Sequence, residues 1–316
     1  MTDNGIMTSP LPALSERNWQ ERAAAHLRRV QRYSEPYLRR RSTGQKHPVE
    51  DFLFTYYTQK PGQLSRWHPG AGVVLTGAAA AERLGWKFYR EANSAELEAG
   101  ATAGHGPAVV LDLDKFMAQR KEAVDFARII LGRTLARPAQ FGCFGLHEWA
   151  MVYQQEANAV RHEYLELRLG SGGTDQVVED SRIRCTHFDA YRFYTPQASG
   201  LNELTPTREN QRDLEQPGCL HANMDLYKWA YKLSPVLPSE LVMDCFELSW
   251  RIRAMDMQAS PYDLAAWGYP PIRIETAQGK ADYVAAQRAF SAEAAVLRGR
   301  LLAAVDVLPA GRPNLK

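Results

Sequence analysis

The stretch Cys185-Thr186-His187-Phe188-Asp189-Ala190-Tyr191-Arg192-Phe193 brings a thiol, an imidazole, a carboxylate and a guanidinium together among aromatic side chains. Two other stretches repeat its order of cysteine, histidine and carboxylate: Cys143-Phe144-Gly145-Leu146-His147-Glu148-Trp149 and Cys219-Leu220-His221-Ala222-Asn223-Met224-Asp225. All three stretches lie in segments whose other residues are largely apolar or aromatic, as is typical of buried chain. Because histidines and carboxylates are seldom buried without partners, these groups either satisfy one another as a structural network or form a site.

The composition is that of an ordinary globular protein. Of the 316 residues, 45% are hydrophobic and 23% are charged, and the net charge of +2 neither requires nor excludes a nucleic-acid partner. An apolar run of about eighteen residues, as a membrane span needs, is missing, and residues 1–8 lack the apolar core of a secretory signal. We therefore expect a cytoplasmic protein without a membrane partner. It would have a flexible tail at residues 1–14 and one globular domain at residues 15–316.

The cysteines and glycines exclude several common kinds of site. The four cysteines are widely spaced and form no Cys-x-x-Cys pair, which argues against a zinc ribbon. In the cytoplasm they would stay reduced. The chain has neither a Walker loop nor a Gly-x-Gly-x-x-Gly sequence after a strand, so the usual nucleotide-binding folds are not expected.

Hydrophobic spacing predicts a mainly α chain with a small mixed β-sheet, that is, an α+β fold in a single compact domain. We predict a helix from residue 16, with Ser15 as its cap, to a break at Pro36. Further helices are predicted over residues 78–84, 114–135, 146–167, 220–233, 239–257 and 282–304. A turn is predicted over residues 170–174, and strands are predicted at residues 73–75, 86–89, 177–178, 183–193 and 272–276.

The central stretch is therefore expected to be extended. On a strand, His187, Asp189 and Tyr191 would alternate onto one face. His221 and Asp225 are four residues apart on a predicted helix and would share a face of it. We also expect His147, His187 and His221 to converge in one cavity, because each has the same setting between a cysteine and a carboxylate.

A metal site is one chemistry that these residues allow. His147, His187 and His221 supply imidazoles, and Glu148, Asp189 or Asp225 supplies a carboxylate. Mixed imidazole and carboxylate ligands suit iron, zinc or manganese, and the set of two histidines and one carboxylate is that of non-haem iron oxygenases. The metal ligands predicted here are His147, His187, His221 and Glu148, with iron or zinc as the metal and a small molecule as the substrate.

A site that processes a nucleobase is the other chemistry. Asp189, His187 and Asp225 would activate water or stabilise a cationic sugar. Aromatic side chains would hold a base removed from the stack, and cationic ones would contact phosphate, although core packing is the commoner role of such aromatics. The candidates for substrate binding are Trp67, Trp149, Tyr191, Arg192, Tyr227 and Trp229. Arginines are dense over residues 17–46, which indicates either a solvated helix face or a surface that contacts DNA phosphates.

Six stretches, at residues 47–57, 66–70, 143–153, 185–194, 218–233 and 256–264, resemble a bacterial family commonly described as 3-methyladenine DNA glycosylase. The resemblance covers most of the chain. It implies a hydrolase of DNA repair that cleaves the N-glycosidic bond of alkylated purines. It carries over no catalytic residue, so the candidates above rest on local chemistry. The function expected from the sequence is this glycosylase, and the alternative is the metal-dependent enzyme.

Overall fold

Helices make up most of the described chain, which comprises residues 10–97, 106–155 and 164–308 of a computed structural model. Four short strands form one small mixed sheet. The predicted α+β class is confirmed. The α-helices are α1 Glu16–Ser42, α2 Phe52–Tyr56, α3 Pro61–Leu64, α4 Leu113–Leu135, α5 Leu146–Ala150, α6 Gly170–Glu179, α7 Phe188–Tyr191, α8 Pro196–Ser199, α9 Gln211–Leu214, α10 Leu220–Lys232, α11 Ser239–Gln258 and α12 Ala277–Asp306.

The strands of the sheet all come from the first 111 residues of the chain. Its strands are β1 Ala13–Leu14, β2 Val74–Leu75, β3 Tyr89–Glu91 and β4 Val109–Leu111. Their order is β1-β2-β4-β3, with β1 parallel to β2 and the other two pairs antiparallel. Because β1 belongs to the sheet, the flexible tail predicted over residues 1–14 is too long; residues 1–9 lie outside the described residues.

Helix α10 forms the centre of the molecule. Nearly all of its residues are buried, among them Asp225. It packs along α11, and α12 lies against α10, α11 and α4. The first turn of α10 therefore carries His221 into the interior, where α5, α7 and α11 also supply side chains.

Helix α1 begins as predicted but does not break at its proline. The Ser15 hydroxyl accepts a hydrogen bond from the backbone N–H of Asn18 at 3.4 Å. The helix continues past Pro36 because tertiary contacts hold the following turn. Tyr37 stacks on Phe54 with ring centroids 4.8 Å apart, and the Arg40 guanidinium pairs with the Asp51 carboxylate at 2.6 Å. These contacts outweigh the backbone hydrogen bond that a proline removes.

The predicted strand at residues 183–193 is wrong. Its second half is the short helix α7, which His187 precedes in an extended conformation. The N–H of Tyr191 donates to the carbonyl of His187 at 3.0 Å, closing one helical turn. His187, Asp189 and Tyr191 therefore do not alternate on one face of a strand.

Five other predicted elements also differ. Residues 170–179 form α6, in place of a turn and a strand, because Thr174 and Val178 are buried one helical turn apart, on a helix packed against α5. Helix α5 ends at Ala150, whose carbonyl accepts the N–H of Thr195 at 3.2 Å, and residues 156–163 of the longer predicted helix lie outside the described residues. Residues 272–276 join the end of α11 through the N–H of Ile272, which donates to Gln258 at 2.8 Å, and form no strand. The strand predicted at 86–89 starts only at Tyr89.

Across the described ranges, we find no helix that is both long enough and apolar enough to cross a membrane.

Candidate metal centre

The three histidines of the repeated pattern meet inside the protein, as expected. The ring centroids of His147 and His221 are 4.4 Å apart, and those of His187 and His221 are 5.4 Å apart. His147 lies on α5, His187 just before α7, and His221 in the first turn of α10. His221 thus lies between the other two imidazoles, and each outer imidazole has its own carboxylate.

The first cluster consists of His147, His221 and Asp256. The Nε2 atom of His147 is 3.2 Å from the Asp256 carboxylate, and both side chains are buried. One ligand atom from each of the three residues lies within 4.8 Å of the others. Burial opposes charge here, but Asp256 raises the pKa of His147 well above its usual value, and His147 lowers the pKa of Asp256 to about 2.

The other side of the His147 ring faces a thiol. Its Nδ1 atom is 3.7 Å from the Sγ atom of Cys143, four residues earlier. A contact on Nδ1 fixes the orientation of an imidazole and leaves Nε2 directed at its carboxylate. Cys143 therefore orients His147 toward Asp256.

The second cluster consists of His187, Glu215 and Asp225. The Nε2 atom of His187 lies 3.2 Å from Asp225 and 3.4 Å from Glu215. Asp225 also pairs with the Lys228 ammonium and accepts a hydrogen bond from the Tyr57 hydroxyl at 3.1 Å. Lysine and histidine thus compensate most of the negative charge of this cluster.

His221 differs from the outer histidines. Among the described residues, neither of its ring nitrogens has a hydrogen-bond partner. Burial, and then the neighbouring charge of His147, lowers its pKa well below the usual value, so the ring is neutral. It lines internal cavities of about 20 Å³ and about 10 Å³ on its two sides. His221 is only half-buried, and a neutral imidazole is a common metal ligand, so a neutral ring that has no hydrogen-bond partner in the described chain and borders small cavities is available to bind a metal ion.

The three cysteines of the repeated pattern also converge. Cys143, Cys185 and Cys219 line the smaller cavity together with His147 and His221. Burial raises the pKa of Cys185 to about 11 and that of Cys219 well above its usual value. The thiols of Cys185 and Cys219 are therefore protonated near neutral pH, which argues against a nucleophilic role for these two residues.

Two acidic residues predicted for the site have other partners. Glu148 accepts from the Arg253 guanidinium at 2.8 Å, in a buried ion pair beside the first cluster. Asp189 pairs with Arg192 at 3.0 Å and with Lys228 at 3.4 Å. The carboxylate next to His187 is thus Asp225, on α10, in place of the expected Asp189.

Most of the aromatic candidates are built into the core. Trp149, Trp67 and Tyr227 are fully buried. The indole of Trp149 donates to the carbonyl of Ala259 at 2.9 Å, and that of Trp67 donates to Glu240 at 3.0 Å. The Tyr191 hydroxyl donates to the carbonyl of Ser199 at 3.2 Å. These contacts are those of packed structural side chains.

Trp229 is the exception, because it lines a cleft of about 500 Å³ that we call the aromatic cleft. Two further rings and three cationic side chains line it, and Asp189 is open to it with 26% of its side chain exposed. Its lining residues relevant here are Phe126, Phe188, Asp189, Arg208, Lys228, Trp229 and Lys232.

Three important charged residues were missed in the sequence. Asp256 and Arg253 lie on the buried helix α11, and Glu215 follows α9. A signal for the first two was present, since two charged residues three apart in an otherwise buried helix need partners. Glu215 lies in a polar loop segment that offered no such signal.

The basic region at residues 17–46 is partly neutralised within the protein. Arg22 pairs with Glu240 at 2.8 Å, Arg29 with Asp244 and Glu247 at 2.7 Å, and Arg40 with Glu50 at 2.8 Å. The cations of this region that make no ion pair in the described chain are Arg28, Arg32, Arg39, Arg41 and Lys46.

Comparisons with protein-family models, with curated proteins and with solved structures each gave no match for this chain.

Proposed function

We propose that the protein is a metal-dependent enzyme whose ion is held by His147, His221 and Asp256. The observation that carries this proposal is the neutral His221 imidazole, which has no hydrogen-bond partner among the described residues. One of its ring nitrogens lies within 4.8 Å of a ligand atom of His147 and of the buried Asp256 carboxylate. Two imidazoles and one carboxylate suit iron or zinc and leave positions open for water or substrate. This donor set supports metal-assisted hydrolysis or oxygen chemistry on a small molecule.

The first cluster is a better metal site than the second. In the second cluster the Lys228 ammonium already lies against Asp225, with His187 on the other side. A divalent ion there would be repelled by the ammonium at close range. In the first cluster Asp256 faces the His147 imidazolium, whose proton a metal ion would replace, and the Arg253 guanidinium, which is 3.7 Å away and engaged mainly with Glu148 at 2.8 Å. We assign the second cluster a supporting role, in which it fixes His187 beside His221.

A glycosylase-type hydrolase is the second candidate, and the aromatic cleft favours it. Phe188 and Trp229 line the cleft, and so does the Asp189 carboxylate, which is 3.4 Å from the Lys228 ammonium. Such a cleft suits a planar base, with a carboxylate to stabilise a cationic sugar. The resemblance to 3-methyladenine DNA glycosylases supports the same chemistry. Unpaired cations such as Arg39 and Arg41 would then contact DNA phosphates.

One crossed experiment separates the two candidates. Asp256→Asn and Asp189→Asn each remove one carboxylate charge and keep the shape of the side chain, but they act at different places. If the metal proposal holds, Asp256→Asn weakens Zn²⁺ or Fe²⁺ binding to the EDTA-treated protein by about a hundredfold, and Asp189→Asn binds like the wild type. Isothermal titration of each variant measures this.

The glycosylase candidate predicts the opposite pattern. Asp189→Asn would lower the release of free base from methylated duplex DNA by about a hundredfold, with EDTA present, and Asp256→Asn would release base normally. Equal metal affinity in all three proteins contradicts the metal proposal. If even the wild-type protein releases no base, the glycosylase candidate is contradicted.

A further inference from the structure

A surface cleft of about 390 Å³ adjoins the candidate metal centre, and we call it the entrance cleft. The residues that matter in it are Cys143, Phe144, Arg182, Arg184, Gln216 and Lys280. Three of them, Cys143, Arg184 and Gln216, also line the cavity of about 10 Å³ that contains His147 and His221. The entrance cleft and the small cavity beside the two imidazoles are therefore neighbours that share these three lining residues.

A second small pocket also borders His221. The cavity of about 20 Å³ there is bounded by Glu148 and Arg253, which form a buried ion pair at 2.8 Å. It meets the aromatic cleft at Asp189 alone. Opening that side would break a buried ion pair, which is strongly unfavourable. The entrance cleft is thus the better route to the centre.

The entrance cleft is electropositive. Arg182, Arg184 and Lys280 line it, against one lining carboxylate, Asp180. Both arginines share the carboxylate of Glu203, which contacts Arg182 and lies 3.7 Å from Arg184. About half of the Arg184 side chain is exposed. Lys280 makes no ion pair within the described residues; its ammonium lies 5.6 Å from the centre of the Phe144 ring. Lys280 thus has no competing carboxylate among the described residues, and Arg184 has only the longer contact to Glu203 at 3.7 Å, so these two cations are the ones best able to bind an anion.

The backbone between the cleft and the metal centre is strained. Phe144 has a φ of 46°, in the left-handed region that residues other than glycine avoid, and Gly145 follows with a φ of 70°. This turn links Cys143, which lines the cleft, to His147, which faces Asp256. Such strain persists where surrounding contacts enforce it, often at functional sites. The turn thus connects Cys143, which lines the cleft, directly to helix α5, which carries His147.

We infer that the entrance cleft admits the substrate and that the substrate is a small organic anion. Its carboxylate or phosphate group is held by Arg184 and Lys280, and its reacting part faces His221 across Cys143. Arg184 presents a planar fork that matches either group, and Lys280 adds a point charge. This inference rests on the proposed metal centre for its chemistry, but the anion site can be tested separately.

The test uses inorganic phosphate and acetate as probes, titrated calorimetrically into the EDTA-treated chain of 316 residues. We expect phosphate, acetate or both to bind, and Arg184→Gln and Lys280→Gln each to weaken that binding by about tenfold or more, since each removes a charge-assisted hydrogen bond. Lys232→Gln, which removes a cation from the aromatic cleft, is the matched control and should bind like the wild type. The stronger probe identifies the anionic group of the substrate.

Metal titrations of the same variants keep the two claims apart. We expect Arg184→Gln and Lys280→Gln to bind Zn²⁺ like the wild type, because neither residue belongs to the ligand set. If neither probe binds, or if the two variants bind both probes unchanged, the inference is overturned even when metal binds. If metal fails to bind the wild-type protein but the anion site responds as expected, the metal centre is refuted and the anion site stands.

Discussion

The variant His221→Phe is expected to fold at least as stably as the wild-type protein. Its affinity for metal is expected to be lower by a factor of about a hundred or more. Phenylalanine keeps a ring of similar shape, and His221 borders small cavities of about 20 Å³ and about 10 Å³. Because neither nitrogen of His221 has a hydrogen-bond partner in the described chain, no protein group loses a contact. Replacing a buried polar group of this kind by an apolar one is close to neutral or stabilising.

A second buried histidine provides the control. The Nε2 atom of His26 lies 2.8 Å from the carbonyl oxygen of Leu64. We expect His26→Phe to lower the free energy of unfolding by about 1–3 kcal/mol, because the Leu64 carbonyl loses its partner, and to leave metal binding unchanged. Urea unfolding in EDTA measures stability without any contribution from bound metal. If His221→Phe loses as much stability as His26→Phe and binds metal normally, His221 is a structural residue.

The variant Asp225→Asn is expected to lower the free energy of unfolding by about 3–5 kcal/mol. Asparagine keeps the shape and still accepts the hydrogen bond of the Tyr57 hydroxyl. It removes the negative charge that stabilises His187 at 3.2 Å and the Lys228 ammonium. Only 13% of the Lys228 side chain is exposed, so its charge would remain largely buried. The closest remaining carboxylate would be that of Asp189, 3.4 Å away.

The double variant Asp225→Asn/Lys228→Met tests the cause. Methionine fills similar space without a charge, so the double variant should recover most of the stability that Asp225→Asn loses. Urea unfolding of the wild type, both single variants and the double variant gives the coupling free energy. Two results would contradict this description of the second cluster. One is a loss in the free energy of unfolding below about 1 kcal/mol for Asp225→Asn. The other is a double variant whose loss equals or exceeds the sum of the losses of the two single variants.

The sequence predicted the helices well wherever their apolar spacing is regular. Helix α4, predicted over residues 114–135, is Leu113–Leu135, and α10, predicted over residues 220–233, is Leu220–Lys232. The stretch around His187 was wrongly predicted to be a strand. Its alternating polar and apolar residues are compatible with a strand, but also with a single helical turn between extended segments. The deciding contacts are tertiary, such as the hydrogen bond between Cys185 and Asn202 at 2.7 Å.

The candidate site could be predicted only in part. The repeated order of cysteine, histidine and carboxylate identified His147, His187 and His221, whose rings do meet. It also suggested that each histidine would use a carboxylate close to it in sequence. The partner of His147 is instead Asp256, 109 residues further on, and that of His187 is Asp225, 38 residues further on. Such pairings depend on how α10 and α11 pack, which local spacing does not encode.

The metal content of the purified protein tests the central claim most directly. The protein is prepared without chelators and without an affinity tag that binds metal, and elemental analysis by mass spectrometry is run beside His221→Phe prepared in the same way. The proposed centre predicts about one equivalent of iron or zinc in the wild type, as its single ligand set requires, and much less in the variant. Wild-type protein without a transition metal, which also takes up none after incubation with Fe²⁺ or Zn²⁺, would contradict the proposal.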